Sequence, residues 1–269
     1  MNNKQEINLI GGGFQHSLST SGFEPLYIQW VKGKQTSPIS IYVDSSILEP
    51  TNVNTKNYGW LCESKTIIGS VYEWCKNNPN TLKDKFISVF THDVELCKIS
   101  DIFVLVQCSG KSFIENGDLF EKTKLVSMVA SNKIICNEHR FRQEIIKKYS
   151  NKTDHYGFGY RQLNNKLDGL KDYCFSITME NGTYSNMFTE KITDCFMTGT
   201  IPIYYGMPNI GDFFNIDGIL ILNDEFNIDD LSFDLYFSKI HAVRDNFERA
   251  KNLLIAEDSI YINHIKNEI

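Results

Sequence analysis

The chain contains no CxxC pair; its seven cysteines, Cys62, Cys75, Cys97, Cys108, Cys136, Cys174 and Cys195, are scattered singly and odd in number. That spacing argues against a thiolate zinc site and against a disulfide framework. Stretches such as Trp60-Leu61-Cys62 and Tyr173-Cys174-Phe175 instead use free cysteine as a small buried hydrophobe, which implies a reducing compartment. No apolar run approaches the roughly 20 residues needed to span a bilayer. Met1 to Glu6 is polar and leads into only a short apolar stretch before Gly11-Gly12-Gly13, so no signal-peptide core is legible and a cytoplasmic location is expected. No Asp-X-Asp triplet occurs, and neither an internal repeat nor a low-complexity tract is present. Positive charge is in deficit: the net charge is −6 and the isoelectric point about 5.6. Nucleic acid is therefore a disfavoured partner, although a local basic cleft could still hold a phosphate.

What is present is ordinary globular material, 42% hydrophobic and 22% charged over 269 residues, enough for two small domains or one large one. Short β-type runs at Ile7 to Ile10, Ile39 to Val43, Tyr58 to Cys62, Phe86 to Phe90 and Ile102 to Val106 alternate with helical patterns. A second series follows, with strands expected at Lys133 to Cys136, Tyr173 to Met179, Ile201 to Tyr205 and Ile219 to Leu222. Helices are expected at about His139 to Tyr149 and Glu190 to Thr198. Alternation of this kind predicts parallel sheets with crossover helices, arranged as two Rossmann-like halves facing a cleft. The stretch from about Leu231 onward reads as helix.

The segment from Tyr173 to Gly206 carries the chemistry. A buried strand ends in Glu180-Asn181, a polar loop follows, and Thr189 stands where a helix N-cap belongs. Gly199 closes that helix, and Ile201-Pro202-Ile203 begins the next strand. A helix start offers free N–H groups and partial positive charge, which suits a diphosphate. Lys191 in the first turn opposes the helix dipole and calls for a compensating anion, such as a bound phosphate. Glu190 beside it suits the hydroxyls of a ribose. The plainer alternative is a solvated Glu-Lys pair at an exposed helix start.

Glu180-Asn181, then Thr189-Glu190-Lys191, then Ile201-Pro202-Ile203-Tyr204-Tyr205-Gly206 resembles the donor-binding signature of the family 10 glycosyltransferases, the α-1,3/1,4-fucosyltransferases. The resemblance runs from about Lys122 to Asp224. It implies a two-domain α/β fold of the GT-B type and GDP-fucose as donor. Asn181 and Glu190 are then ribose contacts and Lys191 a diphosphate cation, with Glu180 in the same cradle and Tyr184 or Phe188 able to supply aromatic packing against the donor. The family's phosphate-binding arginine falls best on Arg142, with Arg140 as its rival, and Arg161 in Gly157-Phe158-Gly159-Tyr160-Arg161 is a candidate third cation. Its catalytic glutamate, just after a strand of the N-terminal domain, falls on Glu63, for which capping of the next helix is the alternative. Met187 departs from the aromatic often found three residues before the glutamate, and bears on the identity of the sugar.

The expectation is thus an acceptor-side domain over residues 1–131, a donor domain over 132–240 and C-terminal helices over 241–269 packing back across the interface. The reaction implied is inverting and metal-independent, with no cofactor, moving a sugar from a nucleotide-sugar donor to a hydroxyl of a glycan acceptor. Alternatives are the same cradle serving another nucleotide sugar of the GDP-mannose type, or a non-catalytic protein that binds nucleotide sugar or glycan. Thr91-His92-Asp93 could line an acceptor cleft or simply cap a helix, and Gly11-Gly12-Gly13 reads as an acceptor-side loop.

Overall fold

The computed structural model describes residues 4–12, 14–15, 17–107 and 110–268. Gly13 of the glycine run and Cys108 lie outside the described residues. The chain divides into two compact units, the first made of Met1–Ser109, Tyr184–Met187 and Leu254–Ile269, the second of Gly110–Thr183 and Phe188–Leu253.

In the first unit, β1 (Gln5–Ile10), β2 (Ile28–Lys32), β3 (Ile39–Val43) and β4 (Lys56–Leu61) lead into α1 (Lys65–Asn77) and α2 (Pro79–Lys85). Then come β5 (Ser88–Thr91), α3 (Val94–Ile99) and β6 (Phe103–Leu105). The six strands form a parallel sheet in the order β2-β1-β3-β4-β5-β6. β3 reads Ile-Ser-Ile-Tyr-Val and is buried at every position, as a strand covered on both faces must be. Gly11 turns the chain out of β1 with φ +112°, where a Cβ would stand 2.8 Å from the Val43 carbonyl oxygen. That glycine is therefore required by conformation and by close approach together.

The second unit runs β7 (Lys124–Val129), α4 (Asn137–Tyr149), β8 (Asp154–Tyr156), β9 (Tyr173–Met179), α5 (Glu190–Phe196), β10 (Ile201–Tyr205), β11 (Leu220–Ile221), α6 (Phe233–Ser238) and α7 (Ile240–Lys251). Its sheet is also parallel, ordered β11-β10-β9-β7-β8. All seven residues of β9 are buried, and Phe175 and Ile177 join Val126, Ile201 and Ile203 in one core. Burying each such side chain contributes about 1.5–3 kcal/mol.

Three expectations about organisation change. The strand expected at Lys133 to Cys136 is absent there; Lys124–Val129 pairs with β8 and β9 instead, and Ile134 and Ile135 stand 60% and 71% exposed. Because β7 belongs to the second sheet, the division comes at residue 110 rather than 131. The C-terminal stretch also divides, α6 and α7 belonging to the second unit and α8 (Ala256–Ile260) to the first. The returning segment is fixed by two buried carboxylates. Glu257 accepts hydrogen bonds from the Thr20 backbone N–H at 2.6 Å and hydroxyl at 2.9 Å, and Asp258 accepts from the N–H groups of Leu26 and Tyr27 at 2.9 and 3.0 Å.

Candidate active site

In the strand order of the second sheet the chain reverses direction between β7 and β9, the place where open parallel sheets bind ligands beyond their carboxyl ends. A cavity of about 290 Å³ lies there, within the second unit, lined by the loop after β7, by Arg142, Gly157, Lys166, Glu190 and Lys191.

Arg142 is the most unusual group in it. It is only 7% exposed, yet among the described residues no carboxylate pairs with it. Its Nη2 donates long hydrogen bonds to the carbonyls of Ser131 and Lys133 at 3.3 and 3.5 Å, and its Nε has no partner. Burial lowers its pKa from the ordinary arginine range. Burying a guanidinium without an anion is costly, so the position is built for a negative ligand. Its rival Arg140, two residues earlier on α4, is exposed and does not line the cavity.

Lys191 also lines the cavity, with its side chain 28% exposed. The compensating anions its position demanded are already in the protein: Nζ lies 3.3 Å from Glu180 Oε2 and 3.7 Å from Glu190 Oε1, and donates to Thr189 Oγ1 at 2.8 Å. Burial alone would lower its pKa, but the two carboxylates raise it, so the ammonium stays charged. At seven residues α5 is too short for its dipole to dominate; the side-chain cations supply the positive field.

Glu180 differs from expectation. It is buried, and its carboxylate accepts from the Thr189 N–H at 2.9 Å and the Thr189 hydroxyl at 2.7 Å besides pairing with Lys191. It does not line the cavity; it clamps the end of β9 to the start of α5 and so sets where Lys191 stands. Asn181 is held by His139, whose Nδ1 accepts the Ile135 N–H at 3.1 Å. Nε2 must therefore carry the proton and donate to Asn181 Oδ1 at 3.0 Å, which leaves the amide NH₂ of Asn181 to donate. Burial, then the nearby Arg142 cation, lowers the His139 pKa and keeps that tautomer neutral.

Two candidates lie elsewhere. Arg161 is exposed, its guanidinium 5.3 Å over the Tyr156 ring, outside the cavity lining. Tyr184 groups with the first unit, where its hydroxyl meets that of Thr66 at 2.9 Å. Sequence reasoning missed Lys166, the cation that does line the cavity, and its partner Asp194. Lys166 opens a single helical turn, Lys166–Gly169, capped by the Asn165 side chain; that asparagine is the signal in the sequence that could have found it.

In the first unit, Glu63 follows β4, and its carboxylate accepts from the Ser64 N–H at 2.7 Å. Its backbone is fixed from two sides. Asp44 Oδ1 accepts the N–H groups of Cys62 and Glu63 at 2.8 and 3.0 Å, and the Tyr72 hydroxyl donates to the Glu63 carbonyl at 3.1 Å. Asp44 itself adopts φ +53°, rare for a residue with a side chain. Burial pushes its carboxyl up to about 6 despite those two donors. Asp93 is the N-cap of α3, accepting from Glu95 N–H at 2.9 Å, and pairs with Lys65; the helix-capping reading of Thr91-His92-Asp93 accounts for it.

Comparison with known proteins fits this geometry. Residues 119–236 match the model of the glycosyltransferase family 10 (fucosyltransferase) C-terminal domain. A fucosyltransferase-like protein of Arabidopsis thaliana is 34% identical over 84 residues, 29% of this chain and 16% of that protein. The α-(1,3)-fucosyltransferase FucT of Helicobacter pylori is 36% identical over 72 residues, 27% of this chain and 15% of that protein. The matched stretch thus spans about a sixth of the curated relatives. A crystal structure of an α1,3-fucosyltransferase superposes with TM-score 0.51 at 15% identity, covering 95% of this chain and 83% of that one. A structure of an α1,3-fucosyltransferase with GDP-fucose gives 0.50 at 13% identity, over 93% and 82%. The fold is therefore the GT-B type of glycosyltransferase, α/β with two parallel sheets. Within that class the chain is family 10-like, its signature residues lying in the matched stretch.

Proposed function

We propose that the chain is an inverting, metal-independent glycosyltransferase that moves L-fucose from GDP-fucose onto a hydroxyl of a glycan acceptor. The observation that carries this reading is Arg142, a buried guanidinium without a carboxylate partner, lining one cavity with Lys191 and Lys166. A diphosphate supplies the missing negative charge, and bond cleavage at the anomeric carbon increases that charge. Arg142 and Lys191 then stabilise the leaving group more than the ground state, which is what lowers a barrier. Glu190 and Asn181 take the ribose. Glu63 is the base: its carboxylate accepts the acceptor's hydroxyl proton as the oxygen attacks the anomeric carbon and the carbon–oxygen bond to the diphosphate breaks. Among the described residues no group of three or more His, Cys, Asp or Glu could hold a metal ion, and the side-chain cations can fill a metal's electrostatic role. The guanosine and fucose assignments rest on the family likeness and on the GDP-fucose bound to the similar solved structure.

Met187 favours a second reading, in which the same cradle serves another GDP-sugar. It is buried and grouped with the first unit rather than lining the cavity. A donor panel measured by thermal shift with and without EDTA separates the readings. GDP and GDP-fucose should raise the melting temperature by mass action and EDTA should change nothing. Stronger stabilisation by GDP-mannose would favour the second reading, while indifference to every nucleotide sugar, or loss of transfer in EDTA, would overturn the first. The anomeric configuration of the product, read by NMR, tests inversion.

A further inference from the structure

Two carboxylates of α5, Glu190 and Asp194, lie four residues apart on one helix face, where like charges repel. Lys166 stands between them. Its Nζ pairs with Asp194 Oδ2 and lies 3.7 Å from Glu190 Oε1. Asp194 is fully buried, and its Oδ1 accepts from the Ser112 hydroxyl at 2.5 Å and the Phe113 N–H at 2.8 Å. An acid held by three partners is a fixed post, and it holds the lysine in turn. Glu190 keeps 21% of its side chain exposed and lines the cavity.

We infer that Lys166, anchored by Asp194, is a positioning residue that holds the Glu190 carboxylate toward the ribose hydroxyls of the nucleotide. This rests on the donor reading above and adds a division of labour among the cations. Glu190 Oε1 lies 3.7 Å from the Nζ of both Lys191 and Lys166. A diphosphate would compete with Glu190 for the Lys191 ammonium, so a second cation is needed that the phosphate does not share. Lys166 stays because Asp194 holds it. Burial would raise the Glu190 pKa, yet Lys191 and Lys166 together lower it, so the carboxylate remains an acceptor for two hydroxyl donors.

The test is calorimetric titration of the full chain with GDP and with 2′,3′-dideoxy-GDP, which differ only in the ribose hydroxyls. Hydrogen bonds to a charged acceptor predict a preference for GDP on the order of tenfold or more in the wild type. In Lys166→Met that preference should collapse toward one, with the dideoxy affinity changing less than about twofold on the same scale; Lys166→Arg should recover part of it. Parallel weakening of both ligands would make Lys166 a phosphate cation or a scaffold residue and overturn the inference, as would an unchanged preference. If Lys166→Met does not fold, Asp194→Asn is read by the same ratio. Wild type that binds GDP without preferring it to the dideoxy form defeats this inference alone, whereas wild type that binds neither defeats the donor reading as well.

Discussion

Both sheets share one winding, 2-1-3-4-5 counted from each unit's own first strand, with β6 added at the far edge of the first. In both, the reversal of strand order leaves polar residues beyond the carboxyl ends of buried strands. They finish differently. In the second unit that place holds Arg142, Lys166 and Lys191 around a cavity, with Glu180 and Asp194 holding the two lysines. In the first it holds carboxylates, Asp44 and Glu63, linked through the backbone. The same topology thus carries a cationic cavity in one unit and a pair of linked carboxylates in the other. Fold alone does not decide which.

Substitutions can break that contrast. Glu63→Gln should have the largest effect, lowering kcat about 10²- to 10⁴-fold as a lost general base does, while GDP affinity measured calorimetrically stays unchanged. A comparable loss of GDP affinity would move Glu63 out of the base role. Arg142→Met should weaken GDP binding roughly 100-fold, about 2.7 kcal/mol. Its melting temperature should hold steady or rise, because an uncompensated buried charge is removed; a clear drop would make Arg142 structural.

Lys122 tests the second unit's framework without touching the cavity. Buried and, among the described residues, without an ion-pair partner, it donates to the carbonyls of Lys171 and Thr198 at 2.9 and 2.6 Å, and burial pulls its pKa down to about 7. Between about pH 7 and the ordinary lysine value near 10.5 the unfolded chain holds the extra proton. Stability should therefore rise with pH across that window, by at most ~1.4 kcal/mol per unit. Lys122→Met should flatten that part of the denaturation profile; an unaltered slope would place the charge elsewhere. The smallest effects belong to Arg161→Gln and Tyr184→Phe, both expected within about twofold in donor affinity, a few tenths of a kcal/mol. A tenfold loss from either would return it to the site.

The residues most legible in sequence were those whose role depends on local order. Thr189 caps α5 and Lys191 follows it, both set by neighbours a few positions away, whereas Arg142 in α4 was singled out from Arg140 only through the family resemblance. Alternation of buried runs likewise exposed β1, β3, β9 and β10. What failed was long-range. Ile134-Ile135 looked more like a strand than Lys124–Val129 because β-branched residues raise strand propensity; pairing with β9 decided otherwise. β2 went unread because its flanks carry no helix to punctuate it. Glu180 read as a ligand contact, since nothing local reveals that its carboxylate bonds to Thr189 across nine residues. Lys166 and Asp194 are 28 positions apart in the chain, and only the fold brings them together.

Thr20, Leu26 and Tyr27 are bonded by Glu257 and Asp258, more than 230 positions downstream. During synthesis residues 110–253 emerge before those acids do, so the second unit, which they contain, can settle first. The earlier one waits for these acceptors of the Thr20, Leu26 and Tyr27 N–H groups until Glu257 and Asp258 are made. Such distant closure slows folding and ties completion of the first unit to synthesis of the segment that carries Glu257 and Asp258.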